Sequence, residues 1–230
     1  QRYAGSYYAY LVDVIVPGVG LVRNRVTDPY ALSLNADSRR AYIADMQAAA
    51  LMPKGWATHK VPQRVRNQTD MVVYELHVRD FSINDASVSH AWRGKYMAFT
   101  QTQTNGMQHL RQLSQAGMTD VHLLPVFDLA TVPEKGCSVP KVPQAAADSE
   151  AQQAAVTAQA ANDCFNWGYD PFHFNAPEGS YATNADDGAA RIREFRAMVQ
   201  ALHQAGLRVG MDVVYNHMSA SGQAERSVLD

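Results

Sequence analysis

Three apolar segments alternate with two amphipathic segments after residue 70, and this pattern constrains the fold of the 230-residue chain most strongly. Each amphipathic segment has helical spacing and lies between two predicted strands. Strands joined by helices form parallel sheets with right-handed crossovers, so we predict an α/β fold. The predicted strands are residues 71–78, 119–124 and 207–214. The first predicted helix begins at Thr104 or Asn105 and ends at Gly117, and the second spans residues 188–204.

This pattern leaves two architectures open, because three strands fit an open sheet as well as part of a closed barrel. The pattern argues against a nucleotide-binding sheet, since no glycine-rich loop follows the strands. The first strand leads into Arg79-Asp80-Phe81 and the third into Tyr215-Asn216-His217. The net charge of −2 gives no reason to expect nucleic acid, and no apolar run reaches the roughly 18 residues of a membrane span.

The residues before the α/β pattern have a different composition. Residues 7–16 and 21–27 are rich in aromatic and β-branched residues and flank the turn signal Pro17-Gly18. We predict two strands there, as in the last hairpin of a β-sandwich, because an isolated hairpin is marginally stable. The chain therefore divides into a strand region at 1–52, a linker at 53–70 and the α/β region at 71–230.

Residues 126–176 are predicted to be irregular, apart from a surface helix at 144–161. Connections of this length in compact domains are usually functional or disordered. The segment contains Cys137 and Cys164, which would form a disulfide in an exported protein and remain free thiols in the cytosol. Neither cysteine has two further ligands at zinc spacing, so we assign no metal site.

Polar residues at the strand ends are candidates for chemistry. The alternative for each is a structural role, because buried polar groups commonly pair with one another. Asp212 lies within an apolar strand and needs a partner, for which Arg79 is the candidate. The strand-end residues are Glu75, His77, Arg79 and Asp80 after the first strand, Pro125, Phe127 and Asp128 after the second, and Asp212, Asn216 and His217 at the third.

The segment Phe165-Asn-Trp-Gly-Tyr-Asp-Pro-Phe-His-Phe174 has a composition suited to a sugar ligand. Pyranose rings stack their C–H faces on aromatic planes, while amide, carboxylate and imidazole groups bind hydroxyls. The alternative is an apolar cluster that anchors a long loop. We expect Trp167 to anchor the loop even if Tyr169 faces a ligand.

Four motifs together resemble the α-amylase superfamily of glycoside hydrolases, and more narrowly the type I pullulanases and limit dextrinases. The resemblance implies that residues 1–52 are the C-terminal part of a starch-binding-type β-sandwich. It also implies that residues 71–230 are the first three βα units of a (β/α)8 TIM-type barrel. The motifs are Tyr74-Glu-Leu-His-Val-Arg-Asp-Phe-Ser82, Asn166-Trp-Gly-Tyr-Asp-Pro171, Pro177-Glu-Gly-Ser-Tyr181 and Asp212-Val-Val-Tyr-Asn-His217.

The resemblance also implies roles for single residues. Tyr169 is expected to stack under the sugar at the cleaved bond, Asp212 to support the catalytic centre, and His217 to hydrogen-bond the same sugar. Trp167 is a further expected α-glucan contact, and Arg79 and Asn216 are supporting residues. Asn216 is a calcium ligand in some relatives, so calcium is possible although no cofactor is required.

The expected activity of the parent protein is retaining hydrolysis of α-1,6-glucosidic bonds in pullulan, amylopectin or limit dextrins. This chemistry uses two carboxyl groups about 5 Å apart. The resemblance places both beyond Asp230, and neither Glu225 nor Asp230 matches their motifs. We expect the chain alone to be inactive and the rest of the barrel to be supplied in cis or as a separate segment.

Two other functions remain open at this point. One is a non-catalytic α-glucan-binding fragment, and the other is an isoamylase or branching-enzyme relative. The motif at 166–171 favours a pullulanase over the second. The expected location is secreted, periplasmic or at the cell surface.

Overall fold

A computed structural model describes residues 2–222, 224, 226 and 227. Its three α-helices and nine strands are named in chain order within that described part. The strands are β1 (Tyr7–Tyr8), β2 (Tyr10–Val16), β3 (Gly20–Val26), β4 (Ala41–Tyr42), β5 (Val73–Leu76), β6 (Asp120–Leu123), β7 (Phe127–Leu129), β8 (Pro171–Pro177) and β9 (Arg208–Met211). The helices are α1 (Asn105–Gln115), α2 (Ala151–Gln159) and α3 (Gly188–Gln204).

The centre of the α/β region is a parallel three-stranded sheet with the order β5-β6-β9. Its registers pair Glu75 with His122 and His122 with Gly210. Each strand has four residues and is shorter than predicted, because the apolar sequence continues beyond the last ladder hydrogen bond. The three strands end at the same edge of the sheet, since parallel strands have their C-terminal ends on one side.

Helices α1 and α3 pack against this sheet and close its core. The interface contains fully buried Leu110, Val121, Leu123, Met198 and Leu202. α3 has the predicted bounds because both of its ends carry clear signals. At the start the Asp187 carboxylate accepts a hydrogen bond from the Ala189 N–H at 2.9 Å, and Gly206, with φ of +88°, follows the end.

The N-terminal strands differ from the prediction. The predicted continuous strand at 7–16 is wrong, because β1 pairs with β4 whereas β2 pairs with β3 in a separate hairpin. The hairpin exposes Ile15, Val19 and Leu21 to solvent. Residues 27–38 then run back onto β7, β8 and α3.

The prediction that residues 126–176 lack strands is also wrong. β7 and β8 form an antiparallel pair in which Asp128 lies opposite His173. The register shifts twice within this short pair, so the sequence lacks the alternation that marks a strand. Cys137 and Cys164 form a disulfide that closes the long connection, and the exposed α2 lies inside it.

Within the described residues, no helix is both long enough and apolar enough to cross a bilayer.

Candidate functional site

The structure brings three predicted site residues together at the C-terminal edge of the parallel sheet. The hydroxyl of Tyr169 donates a hydrogen bond to Oδ2 of Asp212 at 2.6 Å. Nε2 of His217 donates to the carbonyl of Tyr169 at 2.8 Å. Asp212 follows the last residue of β9, and its N–H donates to the carbonyl of Leu123 at 2.9 Å. We call Tyr169, Asp212 and His217 the Tyr169 cluster.

The ring of Tyr169 is available to a ligand, since 42% of the residue is exposed. Its hydrogen bond to Asp212 raises the pKa of Tyr169 to about 12, with a smaller contribution from burial. The hydroxyl therefore stays protonated and remains a donor to the carboxylate at neutral pH. The cluster offers an aromatic face beside a carboxylate, a combination that suits a sugar ring with its hydroxyls.

The backbone before Tyr169 has a conformation that glycine permits. Gly168 has φ of +101°, and a Cβ there would lie 2.8 Å from Cβ of Pro125. Its N–H donates to the side-chain oxygen of Asn166 at 2.7 Å. The Asn166 amide in turn donates to the hydroxyl of Thr131 at 2.7 Å. These contacts set the direction in which Tyr169 leaves the loop.

Trp167 does not anchor the loop, so that prediction is wrong. It is 61% exposed, and its ring packs edge-on against that of Phe165, with ring centroids 5.6 Å apart. Phe165 is the anchor instead. Its ring lies 5.1 Å from the imidazole of His77, and the guanidinium of Arg79 lies 5.9 Å from the ring centroid. The exposed indole of Trp167 is left facing solvent near Tyr169.

The predicted pairing of Arg79 with Asp212 is also wrong. Arg79 forms an ion pair with Asp80 at 2.8 Å. Asp212 is only partly buried and accepts its hydrogen bond from Tyr169. The carboxylate therefore does not need a cation, because solvent and a hydroxyl satisfy it.

Asn216 is exposed, and its side-chain oxygen lies 2.6 Å from Nδ1 of His217. Both ring nitrogens of His217 thus have protein partners, which fixes the plane of the imidazole. A sugar hydroxyl that reaches this ring would compete with Asn216. Glu225 and Asp230, which matched no catalytic motif, lie outside the described residues.

Asp128 does not reach the Tyr169 cluster. It belongs to a group of buried charged residues between β7, β8 and α3, which we call the buried charge cluster. Arg191 lies 3.4 Å from Asp128 and 2.5 Å from Glu134, and Nδ1 of His173 donates to Asp128 at 2.7 Å. Its members are Asp128, Glu134, His173, Glu178 and Arg191.

Burial raises the pKa of two acids in this cluster. The pKa of Glu178 rises to about 7, through burial first and the charge of Asp128 second. Burial likewise raises the pKa of Glu134 well above its usual range, against the attraction of Arg191. No role was predicted for Glu134 or Arg191, although Arg191 and Glu194 at helical spacing with Met198 were a signal that the buried face of α3 carries charges.

The carboxylates of Asp128, Glu134 and Glu178 form the one group in the described residues close enough to share a metal ion. Their oxygens already accept hydrogen bonds, for example from the N–H groups of Leu129 and Gly179. The guanidinium of Arg191 also supplies the positive charge that a metal would bring. We therefore assign no metal here, and Asn216 is not part of this group.

The chain is similar in sequence to pullulanases. No protein-family model matches the chain. It is 40% identical to a pullulanase of Klebsiella aerogenes over 98% of its own length and 24% of that protein. It is 42% identical to the chloroplastic pullulanase 1 of Arabidopsis thaliana over 99% of its length and 24% of that protein.

A solved structure matches equally well. The structure of Klebsiella pneumoniae pullulanase complexed with maltotriose superposes with a TM-score of 0.89 at 39% identity, covering 100% of this chain and 26% of that one. The chain thus spans about a quarter of the length of the relatives that it matches.

Proposed function

The chain is a homologue of the pullulanases, and from this relationship we propose that it forms the α-glucan-binding part of a starch-debranching glycoside hydrolase. The parent enzyme would cleave α-1,6-glucosidic bonds with retention. In this proposal the nucleophile and the acid/base come from residues outside the chain, while the Tyr169 cluster holds the sugar next to them. The observation that carries the proposal is the direct contact between Tyr169 and Asp212 at the sheet edge.

Each residue has a role that follows from its contacts. The exposed ring of Tyr169 stacks on the apolar face of a glucose unit, and Asp212 accepts a hydrogen bond from a hydroxyl of that unit. His217 holds the Tyr169 carbonyl and binds a second hydroxyl when Asn216 releases Nδ1. Trp167, exposed on the same loop, provides a further stacking surface.

The finer architecture is part of the same proposal. We assign β5, β6 and β9 to the first three strands of a (β/α)8 barrel, a fold whose working residues follow the C-terminal ends of the strands. The hairpin β2–β3 would be the end of a β-sandwich, and the exposed Ile15 and Leu21 are consistent with such an assignment. The disulfide between Cys137 and Cys164 supports an extracytoplasmic location. Calcium at Asn216 stays a prediction.

Calorimetric titration of the chain with maltotriose tests the binding role. We expect saturable binding to the wild-type chain and no binding of cellotriose, which has the same composition but β-linkages. Equal affinity for the two sugars would contradict an α-glucan site.

The enzymatic role needs the parent protein. We expect it to release reducing ends from pullulan, and we expect Tyr169→Ala to lower that rate at subsaturating substrate. A parent protein that binds pullulan but does not hydrolyse it would contradict the enzymatic role and support glucan binding alone.

A further inference from the structure

His77 has an environment that the proposed function does not use. The residue is buried below the Tyr169 loop, just beyond the end of β5. Its Nδ1 accepts a hydrogen bond from the N–H of Asp80 at 3.3 Å. Because Nδ1 is the acceptor, the proton lies on Nε2, which donates to the carbonyl of Asn166 at 2.7 Å.

Two further contacts fix this imidazole. The hydroxyl oxygen of Tyr181 lies 3.2 Å from Nε2, and the Phe165 ring packs on the imidazole. Burial lowers the pKa of His77, so the ring stays neutral and keeps this single tautomer. Tyr181 belongs to the motif at 177–181, to which sequence analysis gave no role.

The contact with Asn166 reaches Tyr169 through three residues of backbone. The Asn166 side chain accepts a hydrogen bond from the Gly168 N–H at 2.7 Å, and a Cβ on Gly168 would lie 2.8 Å from Pro125. Because the carbonyl of residue 166 and the turn at residue 168 are both fixed, the backbone restricts the direction in which the Tyr169 side chain points. On its far side Tyr169 is held by Asp212 and His217.

We propose that His77 is a positioning residue that fixes the Asn166 carbonyl and thereby presents the Tyr169 ring to the sugar. The sugar part of this statement rests on the proposed function, while the positioning part does not. His77 itself lies beneath the loop and touches no ligand. Tyr181 contributes by restricting the imidazole, and Asp80 by selecting its tautomer.

The test uses two substitutions of similar polarity and different reach. In His77→Gln the terminal amide nitrogen reaches the position of Nε2 and still donates to the Asn166 carbonyl. In His77→Asn the side chain is too short to reach that carbonyl. Hydrogen exchange of residues 165–170 is measured without ligand. We expect at least tenfold faster exchange in His77→Asn and near wild-type protection in His77→Gln.

Maltotriose titration provides the second measurement, as a double-mutant cycle with Tyr169→Ala. We expect His77→Asn to weaken binding about tenfold in the wild-type background and to add nothing once Tyr169 is absent. Equal losses in both backgrounds would overturn the route through Tyr169. Unchanged exchange in folded His77→Asn would overturn the positioning role.

A further variant, Tyr181→Phe, separates the Asn166 route from the other contacts of His77. Tyr181→Phe removes one restraint on the imidazole but leaves the donor to Asn166 in place, so it is expected to lose less protection than His77→Asn. Loosening as large as in His77→Asn would refute the Asn166 route. Should His77→Asn not fold by circular dichroism, His77→Gln decides alone, since loss of protection in that folded variant contradicts the proposal. If the wild-type chain binds no maltotriose, the proposed function fails, yet exchange still decides the role of His77.

Discussion

The hydroxyl of Tyr169 lies 2.6 Å from the carboxylate of Asp212, and this contact joins the long loop before β8 to the end of β9. The two residues are 43 positions apart in sequence. The hydrogen bond fixes the position of the Tyr169 ring relative to the carboxylate of Asp212. A change in the position of one of these two residues is therefore expected to move the other.

The ring and the hydroxyl of Tyr169 are expected to contribute separately to maltotriose binding. Tyr169→Phe keeps the ring and loses the hydrogen bond, so we expect Kd to rise about threefold. Tyr169→Ala also loses the stacking surface, and Kd should rise more than about tenfold, or about 1.4 kcal/mol. Calorimetric titration measures both values. Tyr3→Ala, at an exposed tyrosine near the N-terminus, should bind like wild type; equal effects of the Phe and Ala variants would exclude stacking.

Glu178 is expected to make folding pH-dependent between about pH 4.5 and 7. Its pKa in the folded chain is about 7, against an ordinary value of 4.5, so the folded state binds the proton more tightly. The stabilisation from this group is fully present below pH 4.5 and is lost as the pH rises through 7. The loss in unfolding free energy is on the order of 1.4 kcal/mol per unit of pKa shift, a few kcal/mol at most. Urea unfolding across this range measures the slope.

Glu178→Gln cannot ionise, so the slope of unfolding free energy against pH should become smaller in this variant. Glu134, whose pKa burial also raises, accounts for the slope that remains. Glu150→Gln is the matched control, because Glu150 is exposed at the start of α2. A slope that is unchanged in Glu178→Gln would show that Glu178 is not the titrating group.

Reduction of the disulfide is expected to destabilise the connection before the Tyr169 loop. Cys137 and Cys164 close a loop of 27 residues, for which the chain-entropy relation gives about 3.5 kcal/mol. We expect Cys137→Ser/Cys164→Ser to lower the free energy of unfolding by up to that amount and to expose residues 138–163 to protease. Limited proteolysis with mass spectrometry detects the second effect; an unchanged cleavage pattern would contradict it.

Gly168 is expected to tolerate no side chain. Gly168→Ala must place a Cβ 2.8 Å from Pro125 at φ of +101°, which combines a steric overlap with an unfavourable backbone region. We expect a loss of about 3 kcal/mol. Gly20 has the same φ of +101° with nothing within 4 Å of its Cβ position, so Gly20→Ala isolates the backbone effect, about 1–2 kcal/mol. Equal losses at both sites would mean that the Pro125 contact is readily relieved.

The sequence predicted those parts of the fold that depend on local signals. α3 has the predicted bounds, and the structure shows a local signal at each end, the Asp187 cap at the start and Gly206 after the end. The resemblance predicted that Tyr169, Asp212 and His217 lie around one sugar, but the hydrogen bonds that Tyr169 makes with Asp212 and His217 were not predicted. By contrast, β7 and β8 were missed because their pairing is irregular and depends on residues far apart in sequence.

The partners of charged residues were the least predictable. Arg79 precedes Asp80 in sequence and pairs with it, although the apolar strand around Asp212 indicated another partner. The burial of Arg191 depends on Asn35, which accepts a hydrogen bond from its guanidinium 156 positions away. No local pattern contains such a contact, because it exists only after the N-terminal residues fold back.

The way in which residues 27–38 meet the buried charge cluster decides where this protein can be shortened. The Ser38 hydroxyl donates to Asp128 at 2.7 Å, the Asp37 N–H to Glu134 at 2.6 Å, and Thr27 lies 2.7 Å from His173. A truncated protein starting at Pro53, where the composition changes, would leave these buried polar groups open to water and short of hydrogen-bond partners. The α/β region expressed by itself is therefore expected not to yield folded protein unless the residues from Thr27 onward are retained.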